Sequence, residues 1–128
     1  MLSAENGMAD ENRLNEHPVG RVERRNGAVI VSLTGELDLY NAPAVRTALS
    51  ELCAEQPERM VIDLQKVAFV DSTGLGVLIE ARAKLQNGAS FLLAAPGFET
   101  HRALQISGLD RHLSVHESVD SALGATLA

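Results

Sequence analysis

The chain has 128 residues, of which 45% are hydrophobic, 22% charged and 3% aromatic, with a formal net charge of −6 at pH 7. That length supports one domain with a real core and is too short for two. The acidic balance, the lack of a basic stripe and the scarcity of aromatic side chains argue against direct nucleic-acid binding, and no apolar run approaches the roughly 20 residues that cross a bilayer.

Residues 1–18 hold Glu5, Asp10, Glu11 and Glu16 against Arg13 and are poor in β-branched and aromatic side chains. They read as a flexible acidic tail, with the folded domain expected over 19–128. The tail has neither a basic n-region nor an apolar h-region, so no secretory signal is expected. The lone cysteine, Cys53, precludes an internal disulfide and fits a reducing cytoplasm, the expected location.

From Val19 the pattern becomes periodic. VGRVERR and AVIVSLTG are strand-like runs joined by Asn26-Gly27, a pair suited to the positive φ angles of a hairpin turn. Both faces of the second run are mostly apolar, which places it centrally in a sheet. TGELDLYNAP reads as a strand end and loop, with Asn41 as the expected N-cap and Pro43 in the first helical turn. Val45, Ala48, Leu49, Leu52 and Cys53 then recur at helical spacing, and Pro57 marks the break. Cys53 lies on the apolar stripe and is expected to be a small core residue.

RMVIDL reads as a short buried strand, LGVLIEARAKLQ as a helix stopped by Asn87-Gly88, and SFLLAA as a further strand ended by Pro96-Gly97. FETHRALQIS forms a short helix closed by Gly108, with Leu109 placed for the contact of a Schellman cap. LSV is a candidate last strand, and Ser118 caps a terminal helix containing Val119, Ala122 and Leu123. Strands alternating with helices after an opening hairpin predict an α/β fold, a single mixed, mostly parallel sheet of about four to five strands with about four helices.

Between the third strand and the following helix stands Phe69-Val70-Asp71-Ser72-Thr73-Gly74-Leu75-Gly76. Ligands and partners of open α/β sheets gather beyond the carboxyl ends of the strands, and the Gly35-Glu36-Leu37-Asp38 loop ends there as well. If the second and third strands are parallel neighbours, Asp38 lies near Asp71 and Ser72. The simplest role for Asp71-Ser72-Thr73 is a helix cap, worth about 1 kcal/mol. A cap needs one oxygen, however, and each early glycine costs up to about 1 kcal/mol relative to alanine. A hydroxyl at an exposed helix N-terminus is also a favourable phosphate carrier.

Other chemistries fit less well. The surroundings of Ser72 are not G-x-S-x-G, His101, His112 and His116 fall in late polar segments, and G-K-[ST] is missing. An aspartyl-phosphate receiver would need a late lysine, and none follows Lys84. His112 and His116 have no obvious third partner for a metal. No catalytic residue, metal or cofactor is expected.

LTGELD, VIDLQKVAFVDSTGLGVL and ISGLDRHLSVHESVDSAL resemble the bacterial anti-sigma factor antagonists of the STAS domain family, a likeness that covers about residues 19–127. The resemblance implies a non-enzymatic partner-switching protein. Such an antagonist binds an anti-sigma factor that is itself a serine kinase of the GHKL type, and so frees a sigma factor. The kinase phosphorylates the serine after the aspartate, here Ser72, and the antagonist lets go; a PPM-type phosphatase resets it. Thr73 is a second-choice acceptor. Glu36, Asp38, Asp71, Thr73, Gly74, Leu75 and Gly76 are the expected partner contacts. STAS domains also serve as accessory subunits of transporters and in stress-signalling assemblies, the alternative reading; the complete D-S-T-G favours the stand-alone antagonist.

Overall fold

In the computed structural model, which describes residues 17–127, the chain reverses at Asn26 and Gly27, with φ angles of 52° and 85°. Both lie in the left-handed region that a two-residue hairpin turn demands. Arg25 therefore pairs with Ala28, and β1 (Val19–Arg25) runs antiparallel to β2 (Ala28–Leu37). The acidic tail expected over residues 1–18 lies outside the described residues, except for His17 and Pro18.

The remaining elements are α1 (Ala42–Ala54), β3 (Arg59–Val70), α2 (Ser72–Lys84), β4 (Phe91–Ala94), α3 (Phe98–Ser107), β5 (Ser114–His116) and α4 (Val119–Gly124). The strands form one sheet in the order β1-β2-β3-β4-β5. Every pairing after the hairpin is parallel. The mixed α/β architecture is the one expected.

Strand alternation sends the two halves of each apolar run to opposite faces. Val29, Val31 and Leu33 of β2, with Met60, Ile62 and Leu64 of β3, meet α1, α2 and Leu104 of α3 in the main core. Ile30, Val61, Leu92 and Ala94 face the other way and are covered by Ala122 of α4. Arg59 fastens that helix by donating from Nη1 to the Ala122 carbonyl at 2.6 Å. Beyond α4 the second face is polar and open, a groove of about 390 Å³ lined by Ser32, Thr34, Asp63 and Lys66 among others.

Local expectations differ from the structure at three points. β3 has 12 residues and runs on through Gln65–Val70, well past the expected RMVIDL. Its register with β2 slips between Ser32 and Thr34 and again between Gly35 and Glu36. Each slip puts an extra residue into β3 and breaks the period-2 pattern by which a strand is recognised. α2 ends at Lys84 with Leu85 already extended, and Asn87 instead caps a short 3₁₀ turn over Gly88–Ser90. Asn41 does not cap α1 with its side chain, for a reason that lies in the site below. Gly108 closes α3 at φ 80° as expected, and Leu109 packs against the core.

Cys53 is 1% exposed, with Sγ 3.4 Å from the Ala81 carbonyl. Burial pushes its thiol pKa up, so the nucleophilic thiolate is disfavoured as well as hidden. Iodoacetamide at mildly alkaline pH is expected to leave native protein unmodified and to alkylate Cys53 fully in denaturant, read by intact mass. Rapid labelling of the native protein would show that α1 and α2 separate readily. Raising the pH through the ordinary thiol range should favour unfolding, because the unfolded chain releases this proton first.

Candidate functional site

β2 and β3 end together. Leu37 pairs with Val70, and the Asp71 amide donates to the Leu37 carbonyl at 3.1 Å. The two chains thus leave the sheet side by side, and the residues that follow are Asp38 and Asp71. The adjacency expected from parallel neighbours is observed.

Asp71 has extended backbone, φ −100° and ψ −175°, and its Oδ1 accepts from the Gly74 amide at 2.9 Å. It is the N-cap of α2, which releases Ser72 from that duty. Ser72 becomes the first residue of the helix and is exposed. Its hydroxyl has no hydrogen bond to protein among the described residues. The first turn of a helix also carries unpaired N–H groups and a positive dipole end. The site therefore offers an accessible hydroxyl in a field that suits an anion.

The two glycines differ. A Cβ on Gly74 would lie 2.5 Å from the Leu37 carbonyl oxygen and 2.8 Å from Val70 Cγ2, whereas one on Gly76 would meet nothing within 4 Å. Gly74 is thus a packing requirement where α2 crosses the end of β2. Leu75 is likewise buried in the main core. Both, expected as partner contacts, lie beneath the surface of the free protein, on the side of the first turn that faces inward. Glu36 and Gly76 are exposed, while Asp38, Asp71 and Thr73 are half-buried.

The Asp38 carboxylate is turned into its own loop. Oδ1 accepts from the amides of Tyr40 at 3.0 Å and Asn41 at 3.1 Å. The Asn41 side-chain amide donates to the Glu36 carbonyl. The Asn41 side chain is thus committed to the loop before α1, and the Ala44 amide that it was expected to cap donates to the Asn41 backbone carbonyl instead. This closed loop props Leu39 and Tyr40 outward, 66% and 88% exposed. Phe69, opposite Glu36 in the sheet, is 48% exposed. Sequence reasoning passed over these apolar residues. The available signal was a Leu-Tyr pair placed directly after the loop aspartate, in a segment otherwise suited to solvent.

The corner is acidic. Glu36, Asp38 and Asp71 contribute carboxylates, and no Lys or Arg occurs in residues 34–45 or 67–81. Among the described residues no cluster of three or more His, Cys, Asp and Glu side chains is placed to hold a metal, and no helix is long and apolar enough to cross a membrane.

A family model for the STAS domain matches residues 21–122. Similar chains include the anti-sigma-F factor antagonist RsfB of Mycobacterium tuberculosis, 34% identical over 102 residues, 80% of this chain and 84% of that one. The anti-sigma-B factor antagonist of Bacillus subtilis is 35% identical over 89 residues, 69% of this chain and 81% of its own. Among solved structures, the crystal structure of an anti-sigma factor antagonist from Mycobacterium paratuberculosis superposes with a TM-score of 0.76 at 36% identity, covering 80% of this chain and 88% of the other.

Proposed function

The chain belongs to the STAS domain family, and from that premise we propose that it is an anti-sigma factor antagonist switched off by phosphorylation of Ser72. In this reading the unphosphorylated protein binds an anti-sigma factor of the GHKL serine-kinase type, which then gives up its sigma factor. The kinase phosphorylates Ser72, the complex separates, and a PPM-type phosphatase restores the hydroxyl. Thr73 is the secondary acceptor. The partner covers Glu36, Asp38, Asp71, Thr73 and Gly76, with Gly74 and Leu75 holding the first turn of α2 in place from below. The protein acts in the cytoplasm, by binding and without catalysis of its own.

One observation carries the reading: Asp71 does the capping, so the neighbouring hydroxyl is free and exposed at the start of a helix. A serine kept only as a cap would have its oxygen turned back onto the backbone. The relatives named for antagonising anti-sigma factors supply the class of partner.

The test is a paired capture from lysate of the source organism, with Ser72→Ala and Ser72→Glu proteins as baits. A GHKL-type kinase held by the alanine form and lost from the glutamate form is the expected result, checked with enzymatically phosphorylated protein because glutamate imitates phosphoserine imperfectly. The same protein on both baits would indicate a binding module without this switch. If neither bait holds a kinase, the antagonist reading fails, and an accessory subunit of a transporter or stress-signalling assembly becomes the better description.

A further inference from the structure

We propose that the partner grips an apolar arm, Leu39–Tyr40, and rests on bare backbone at Gly76, so that the two contacts bracket Ser72. The inference rests on the reading of Ser72 as the phosphorylated switch and adds where the binding energy and the steric sensitivity reside.

The arm projects two large apolar side chains into solvent, Leu39 at 66% and Tyr40 at 88% exposure. Its backbone is nevertheless fixed, since the Asp38 carboxylate holds the Tyr40 and Asn41 amides and Asn41 holds the Glu36 carbonyl. A preformed arm loses little conformational freedom on binding, and tyrosine is enriched among the residues that dominate interfaces. The arm is tied to the switch through Leu37, whose carbonyl accepts the Asp71 amide.

Gly76 stands one helical turn beyond Ser72, on the same face of α2. It is exposed, and an added Cβ would touch nothing within 4 Å. Glycine is the least favourable helix residue after proline, and neither a contact nor a positive φ demands it here. Such a position suits close approach by another molecule. The occupant follows from the chemistry at Ser72. A kinase must bring its phosphoryl donor to within about 3–3.5 Å of the hydroxyl, and a protein surface at that distance covers the adjoining turn and loop. If it rests against the Gly76 backbone, any side chain at that position would hold the whole surface away from Ser72.

The experiment titrates the kinase recovered with the Ser72→Ala bait, once purified, against wild type, the Leu39→Ser/Tyr40→Ser double variant, Gly76→Ala and Ser72→Glu, with melting temperature measured for each. The double variant is expected to keep its melting temperature and bind roughly tenfold or more weakly. Gly76→Ala is expected to melt a few degrees higher, from improved helix propensity, yet bind roughly tenfold more weakly. Wild-type affinity in the double variant, with Ser72→Glu still impaired, overturns the arm and leaves the switch standing. A lower melting temperature for Gly76→Ala shows that the glycine serves the fold and overturns the clearance argument. Undiminished binding by Ser72→Glu and by phosphorylated protein, or no recovered kinase, removes the switch and this inference together.

Discussion

Replacing Gly74 with alanine is expected to lower the unfolding free energy by about 2 kcal/mol, through overpacking where a helix meets a strand. The added Cβ would sit 2.5 Å from the Leu37 carbonyl oxygen, 2.8 Å from Val70 Cγ2 and 2.9 Å from Leu37 Cβ. Backbone is the nearest obstacle, so no flexible side chain can simply swing aside. Leu37 is also held in place, because its carbonyl accepts the Asp71 amide and it pairs with Val70 in the sheet. Relief therefore requires α2 to tilt away from β2, which loosens the contacts that Leu75 and Leu78 make in the main core. The helix-propensity gain from alanine, at most about 1 kcal/mol, offsets only part of this. A urea titration reads the effect as a lower midpoint with an unchanged slope. Wild-type stability would show that the crossing has slack and that Gly74 is not a packing requirement.

The second large effect is on binding. Stoichiometric phosphorylation of Ser72 is expected to weaken the partner about a hundredfold, equivalent to about 3 kcal/mol, while leaving the fold intact. A phosphoserine brings about −1.5 to −2 charges to a corner that already holds Asp71 and Asp38. One unit charge facing a carboxylate at about 4 Å contributes up to roughly 4 kcal/mol at an effective dielectric of 20. In the free protein, water and salt reduce that repulsion considerably. A partner that expels the water restores it, so the cost falls mainly on the complex. The same phosphate suits the N-terminus of α2 in isolation, and for that reason the circular dichroism spectrum and melting temperature should barely move. Calorimetric titration of the two forms measures the affinity ratio. Equal affinities would reject charge as the switch, and a refolded or unfolded phosphorylated domain would reject a local mechanism.

The legible parts of this chain were those governed by short-range rules. Asn26-Gly27 announced the hairpin, Gly108 the end of α3 and Ser118 the cap of α4, whose Oγ accepts from the Ser121 amide at 3.0 Å. Each is a backbone requirement met by residues a few positions apart. The full length of β3 was hidden because two bulges interrupt its alternation. The different burdens of Gly74 and Gly76 were invisible for another reason. Both look alike along the helix, and only the passage of β2 beneath one of them separates packing from openness. Asn41 was legible as the residue before α1, but not the turn of its side chain to the Glu36 carbonyl. Nor was the loop's closure by the Asp38 carboxylate, and with it the outward display of Leu39 and Tyr40.

Because each strand of the sheet lies beside its neighbour in the chain, order in space repeats order in synthesis. As the polypeptide leaves the ribosome, the hairpin supplies an edge for β3, β3 an edge for β4, and β4 one for β5, with no strand inserted between two others afterwards. Every crossover closes a loop of modest length, which keeps the entropic barrier to assembly low. The exception is α4. It arrives last and, among the described residues, covers Ile30, Val61, Leu92 and Ala94 together with Leu127 just beyond it. A nascent chain stalled before Val119 would thus present a nearly complete sheet with one greasy face uncovered, the form of this protein most prone to aggregate and most in need of a chaperone.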